Sequence, residues 1–349
     1  MTLSRYAAVH ASPQGAGDAR PTAEEVLRDQ NLVGNHWPDK TVLITGGTAG
    51  IGAESARVLH LTGAKIFITG RDLAKGERVA EEISAANPHY PPVEMIELDQ
   101  SNLRNVRHVA AEFLKRSGGK LNLLLANAGI MGCPQSKTEE GFETAFTVNH
   151  LAHFLLFQLL RPALVASSAP SFHSRVVIVS SSGHRASNIN PDNYHFEGDG
   201  VYDSAKTYAQ SKTANILMAN EIERRYGKEG VHGLSLNPGL ILTTEIGRDF
   251  SGSVSSRREE YLRHDALLAR HEKSLEQGAA TQVWASVAKE LEGKGGLYLD
   301  DVQVGREAEH TEQPKYYLPG WQKWIWDENM ASRLWEDSLN MVQFSQNEE

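Results

Sequence analysis

The sequence predicts an α/β fold, a single doubly wound parallel sheet with helices on both faces. Three observations carry that reading. From Thr41 onward, short apolar runs alternate with longer amphipathic stretches, the pattern of parallel strands joined by helical crossovers. The first apolar run opens directly into Gly46-Gly47-Thr48-Ala49-Gly50-Ile51-Gly52 and then into a stretch carrying Ala56, Val58 and Leu59. The chain's 349 residues, 40% hydrophobic and 23% charged, suit one large globular domain.

In chain order, candidate strands fall at 41–45, 65–69, 93–98, 122–126, 175–180, 233–236 and 296–299. Helices are expected from about 50, from Asp72, after Ser101, and over 142–164, 206–226 and 274–291. Asp72 and Ser101 read as N-caps, because a short side-chain oxygen can accept from a free amide of the first turn. Residues 1–38 form an N-terminal extension. Pro13, Gly15 and Gly17 break any helix there, so it is expected to be disordered or loosely packed. The main domain spans 39–310. Its polar insert 182–201 and the charged segment 244–273 follow strand ends, where loops shape ligand sites; the second is expected to form either a substrate lid with its own helix or a solvated helix. Residues 311–349 hold Trp321, Trp324, Trp326 and Trp335 and are expected to pack on the domain.

The bulk composition narrows the partners. Net charge is −9 and no long basic run occurs, which argues against nucleic acid. Cys133 is the single cysteine, so there is no internal disulfide, no cysteine-built metal site is expected, and a reducing, cytoplasmic setting fits. No run of about 18 apolar residues exists to cross a membrane.

The glycine turn carries chemistry. Glycines allow a tight turn and close backbone approach, and a helix N-terminus offers amide donors and partial positive charge to a pyrophosphate. A dinucleotide site would use Gly46, Thr48, Gly50, Ile51 and Gly52. At the tip of the second strand stand Gly70 and Arg71 rather than an acid. A guanidinium suits a ribose 2′-phosphate, which favours NADP over NAD. Asp72 is read as the cap of the next helix.

Two Tyr-x3-Lys frames overlap, Tyr202 with Lys206 and Tyr208 with Lys212. Either pair shares a helix face, and an ammonium near a phenol would lower the phenol's pKa. The sequence from Tyr208 to Asn215, Tyr-Ala-Gln-Ser-Lys-Thr-Ala-Asn, decides the frame, since Ala214 leaves room for close packing two residues after Lys212.

These motifs together resemble the short-chain dehydrogenase/reductase family over roughly 40–300, in a soluble form of its retinol dehydrogenase and WW-domain oxidoreductase branch. The resemblance implies a Rossmann-type fold. It implies that Asp99 contacts the adenine and that Asn127, Ala128 and Gly129 border the cofactor, with Ala126 replacing the family's first asparagine. It implies that Pro238 and Thr243 hold the nicotinamide carboxamide. Ser181 falls on the catalytic serine, Tyr208 on the acid/base, Lys212 on its partner, and Asn149 on the residue that anchors a relay water. The expected activity is NADPH-dependent interconversion of a small-molecule carbonyl and its alcohol. A retinoid- or steroid-type alcohol dehydrogenase, and a cofactor-binding regulatory protein without turnover, stand as alternatives. A homodimer through the helices after strands four and five is a further implication.

Overall fold

The computed structural model describes residues 5–247, 253–309 and 315–344. Eight strands form one sheet in the order β3-β2-β1-β4-β5-β6-β7-β8. They are β1 (Thr41–Ile44), β2 (Lys65–Gly70), β3 (Glu94–Glu97), β4 (Leu123–Ala126), β5 (Ser174–Val179), β6 (Val231–Asn237), β7 (Leu297–Asp300) and β8 (Gln303–Val304). The first seven pair in parallel, and β8 turns back antiparallel on β7. The strand order reverses direction between β1 and β4. At that point the crossovers diverge to opposite faces and leave a crevice at the strands' C-terminal ends.

Among the described residues thirteen α-helical segments surround it: α1 (Ala7–His10), α2 (Ala23–Asp29), α3 (Gly50–His60), α4 (Leu73–Ala86), α5 (Leu103–Ser117), α6 (Thr144–Phe146), α7 (Ala152–Ser167), α8 (Ser204–Tyr226), α9 (Val254–His264), α10 (Ala266–His271), α11 (Leu275–Gly278), α12 (Ala280–Val287) and α13 (Glu328–Met341). Central strands are mostly apolar because helices cover both faces; every residue of β1 and β5 is buried. One core, with Leu43, Phe67, Phe113 and Phe154, fills the α5–α7–α8 face. The other, with Val42, Ile44, Leu59 and Trp284, fills the α3–α12 face.

Several expectations are corrected. The N-terminal extension is packed, not loose. Thr22 and Glu25 close a reciprocal capping box on α2, which buries Ala23, Val26 and Leu27. Arg20 is 3% exposed and donates to the Asp18 carboxylate and to the carbonyls of Gly15, His271 and Glu272. Ser101 is not the cap of α5. Asn102 accepts from the Asn105 amide, while Ser101 donates to Asp99. The expected helix 142–164 divides into α6, a π-helical turn over Thr147–Leu151, and α7. The expected helix 274–291 breaks into α11, α12 and a short 3-10 turn.

The family-level pairing surface is also covered. Helix α13 lies over α7 and α8, with the Trp335 ring 4.9 Å from Phe154 and 6.2 Å from Tyr226. The apolar stripe Ala331, Leu334 and Trp335 that drives this packing is buried. Helix α13 thus occupies one side of the pair α7 and α8.

Candidate active site

The turn after β1 is shaped by close approach. Gly46 has φ +66°, and a Cβ there would lie 2.9 Å from Ala128 Cα. A Cβ on Gly52 would collide with the Gly46 carbonyl and the Asn127 side chain. The first turn of α3 therefore sits directly against the loop after β4. Thr48 lies over the tip of β2, where a Cβ on Gly70 would come within 2.7 Å of its methyl. Ile51 packs beside Gly278.

Arg71 is exposed at that tip and has no ion-pair partner among the described residues. Asp72 accepts from the Lys75 amide at 2.9 Å and caps α4. The carboxylate is committed to the helix, as the sequence reading had it.

Beyond β3, Asp99 is held by the Ser101 amide and hydroxyl at 2.9 and 2.7 Å. Beyond β4, Asn127 donates to the Thr45 and Gly46 carbonyls. Its Oδ1 is buried with no hydrogen-bond partner among the described residues. Thr45 Oγ1 accepts from the Asn127 and Ala128 amides, so its proton goes to His153 Nε2 at 2.8 Å. His153 in turn donates from Nδ1 to the Asn149 carbonyl. Burial holds this imidazole neutral by pushing its pKa down to about 4. Sequence reasoning missed the Thr45–His153 link. The available signal was His153 itself, a polar interruption of an apolar helix placed four residues after Asn149.

Asn149 lies in the π-helical turn and is fully buried. Its Oδ1 accepts from the Ile130 amide, and its Nδ2 donates to the Ile130 carbonyl and to Ser211 Oγ. The side chain thus bolts the loop after Gly129 to α8. A Cβ on Gly129 would be 3.3 Å from both Asn149 Oδ1 and Lys212 Nζ, which puts those two groups side by side at the crevice floor.

Ser181 lies two residues beyond the end of β5, and its Oγ accepts from the Gly183 amide at 3.0 Å, so its own proton is not spent on Gly183. Its hydroxyl also hydrogen-bonds the Tyr208 phenol. A Cβ on Gly183 would be 3.2 Å from both Ser181 Oγ and Tyr208 Cε1, so the two side chains converge there. Tyr208 and Lys212 share one face of α8, with Nζ 5.7 Å from the tyrosine ring. Lys212 Nζ donates to the Val179 carbonyl.

The competing frame dissolves in the structure. Tyr202 precedes the Asp203 cap of α8 and donates to the Cys133 carbonyl, while Lys206 is exposed.

The electrostatics correct one expectation. Tyr208 is not lowered by its lysine: burial pushes the phenol up to about 12, with the Ser181 hydrogen bond pulling the other way. Burial pushes Lys212 down to about 8. Lys212 is 1% and Tyr208 8% exposed, so desolvation penalises the charged form of each.

The loop after β6 completes the site. Lys273 Nζ donates to the Pro238 carbonyl at 3.3 Å and pairs with Asp301 at 2.8 Å. Thr243 is exposed in the turn that follows. Asn237, which sequence reasoning missed, accepts from the Ser182 amide and donates to Asp300, locking the Ser181 turn to β6 and β7. No group of three or more metal-ligating side chains occurs among the described residues.

The residues fit a nicotinamide dinucleotide. The glycine cradle stands at a helix N-terminus, Asn127 leaves a buried acceptor unpartnered, and Arg71 has no ion-pair partner, all among the described residues. The profile of the family described as short chain dehydrogenase matches residues 40–195. The chain is 66% identical to oxidoreductase calI of Penicillium decumbens, over 98% of each chain. It is 39% identical to retinol dehydrogenase 12 of Mus musculus, over 76% of this chain and 78% of that one. A solved structure of an uncharacterized protein from Mycobacterium paratuberculosis superposes with TM-score 0.64 at 27% identity, over 90% of this chain and 97% of that one. This chain belongs to the short-chain dehydrogenase/reductase family, whose members use NAD(P), and it is an oxidoreductase of that family.

Proposed function

We propose that the enzyme moves a hydride between NADPH and a carbonyl/alcohol pair, with Ser181, Tyr208 and Lys212 as its catalytic groups and Asn149 as a positioning residue. The observation that carries this is the convergence of Ser181 and Tyr208 at Gly183, with Lys212 one helical turn behind. Gly46, Thr48, Gly50, Ile51, Gly52, Asp99, Asn127, Ala128 and Gly129 would border the dinucleotide. Pro238 and Thr243 would flank its nicotinamide end, and Arg71 would take the 2′-phosphate.

When bound, the dinucleotide supplies or accepts the hydride. The Ser181 proton, given to the Tyr208 phenol in the unliganded site, turns to the substrate oxygen when substrate binds. Tyr208 is protonated at neutral pH, with its phenol at about 12, and is therefore set to give its proton to that oxygen as it becomes an alkoxide. Lys212, at about 8, keeps its charge at neutral pH and stabilises the phenolate left behind. Asn149 holds the Ile130 backbone and Ser211 in register, and any relay water must use its main-chain carbonyl, because its side chain is spent. The resting protonation state favours carbonyl reduction over alcohol oxidation.

The test is a carbonyl panel with NADPH and NADH side by side, including retinal in view of the likeness to retinol dehydrogenase 12. Turnover of no carbonyl with either cofactor would favour a cofactor-binding protein without catalysis.

A further inference from the structure

A cavity of about 300 Å³ opens where distant stretches of chain meet. They are the N-terminal extension at His10 and Arg20, the turn after Ser181 at Arg185, the loop after β6 at Gly239, the end of α10 at His271 and Lys273, and the C-terminal residues Asp300, Asp301, Arg306, Lys315 and Gln322. None of Ser181, Tyr208, Lys212 or Asn149 lines it. The glycine turn does not line it either.

Its charge runs against that of the whole protein. Arg20, Arg185, Lys273, Arg306 and Lys315 face three acids, Asp300, Asp301 and Glu309, in a chain whose net charge is −9. Several cations are not spent on carboxylates. Arg306 is exposed and has no ion-pair partner among the described residues. Arg185 is 9% exposed, and its guanidinium donates only to the carbonyls of Ser182, Lys315 and Leu318, with no carboxylate in ion-pair range among the described residues. Lys315 is only loosely held, with Asp265 at 4.0 Å and the Tyr317 ring at 5.8 Å. By contrast Arg20 and Lys273 are committed to Asp18 and Asp301. Asp300 is tied to Asn237 and to the Gly320 amide, and burial pushes its carboxyl up, toward the neutral form.

A buried guanidinium with no carboxylate in ion-pair range is costly, and the structure keeps one at the wall of an open space. The volume holds on the order of ten waters at about 30 Å³ each, the size of a compact organic acid.

We propose that this cavity is a second binding site, for a small carboxylate anion held by Arg185, Arg306 and Lys315. Arg306 and Lys315 stand at its exposed rim and supply attraction and orientation, and Arg185 supplies the planar donor inside. The carboxylate belongs either to a free organic acid or to the acidic end of the enzyme's own substrate. The first source makes the cavity an effector site, and the second makes it a specificity pocket.

The experiment uses citrate as the probe. Calorimetry is run on the full chain saturated with its nicotinamide dinucleotide, so that cofactor phosphate sites are already filled. The expected result is saturable citrate binding in the millimolar range or tighter, weakened by added salt. In the double variant R306Q/K315Q it falls about 10-fold or more, because two charge-assisted contacts are lost, while dinucleotide affinity is unchanged. Absence of citrate binding to the wild type, or equal binding to the double variant, overturns the proposal. A second arm compares 4-carboxybenzaldehyde with benzaldehyde. A KM for the acid alone that rises in the double variant assigns the carboxylate to the substrate, and unchanged KM values with lost citrate binding assign it to a free anion. Calorimetry reads binding without turnover, so this outcome is independent of whether the carbonyl chemistry holds.

Discussion

Lys212→Met separates catalysis from stability. In the folded protein Lys212 is fully enclosed, and burial moves its pKa from 10.5 to about 8. A lowered pKa on a base means the folded state resists the charge. Each unit is worth about 1.4 kcal/mol, so at pH 7 the buried ammonium destabilises the fold by about 3 kcal/mol. Methionine has similar length and no charge to desolvate. It forfeits the hydrogen bond to the Val179 carbonyl, worth about 1 kcal/mol, but Asn215 Nδ2 still reaches that oxygen at 3.3 Å. The variant should therefore be more stable than the wild type by about 2 kcal/mol at pH 7. The sign of the pH dependence follows from proton counts. Between about 8 and 10.5 the unfolded chain holds the lysine proton while the folded chain has released it, so wild-type stability rises with pH relative to the variant. The gap should narrow by about 2 kcal/mol between pH 7 and roughly pH 9.5. Urea unfolding followed by tryptophan fluorescence at both pH values reads this directly, and turnover of a carbonyl substrate should fall by at least about 10²-fold alongside. A variant less stable than the wild type at pH 7, or a gap independent of pH, refutes the reasoning that the lysine is held against its desolvation cost for function.

Four further outcomes are expected. Tyr208→Phe should lower carbonyl reduction by about 10³-fold or more while cofactor binding, read by nicotinamide fluorescence, stays within a few-fold, since only the donated proton is removed. Arg71→Gln should raise the KM for NADPH by about 10-fold or more and leave that for NADH nearly unchanged, because only one of the two carries the 2′-phosphate; a parallel loss for both would remove Arg71 from the site. Trp335→Ala should destabilise the fold by about 3–5 kcal/mol in chemical denaturation, the range for emptying a large buried aromatic site. With α13 covering α7 and α8, the intact chain should run as a monomer by light scattering, and deletion from residue 327 onward should expose that apolar face and drive self-association.

Much of the fold was legible because parallel strands covered on both faces must be continuous apolar runs. All seven runs appear within two residues of their expected ends. The missed strand, β8, is two residues long and too short to show a period. The packed N-terminal extension was misjudged because its glycines and proline were weighed above the Thr22-x-x-Glu25 box that caps α2. Ser101 was chosen over Asn102 because either residue type can cap, and only the hydrogen bond to Asp99 shows which one is spent elsewhere.

The sequence by itself determined the order of strands and helices along the chain and the glycine turn, since each depends on spacing, and it favoured Tyr208 with Lys212 through the residues that follow them, while the placement of Tyr202 ahead of α8 came from the structure. The tertiary structure decided what depends on burial and on distant neighbours. It raised the Tyr208 phenol and lowered Lys212 because enclosure penalises charge, which no spacing records. It linked Thr45, His153 and Asn149 into one polar line beneath the cofactor crevice. It brought Arg20, Arg185, Lys273 and Arg306 to the wall of one cavity from positions spread along nearly the whole chain, and chain separation carries no information about that meeting.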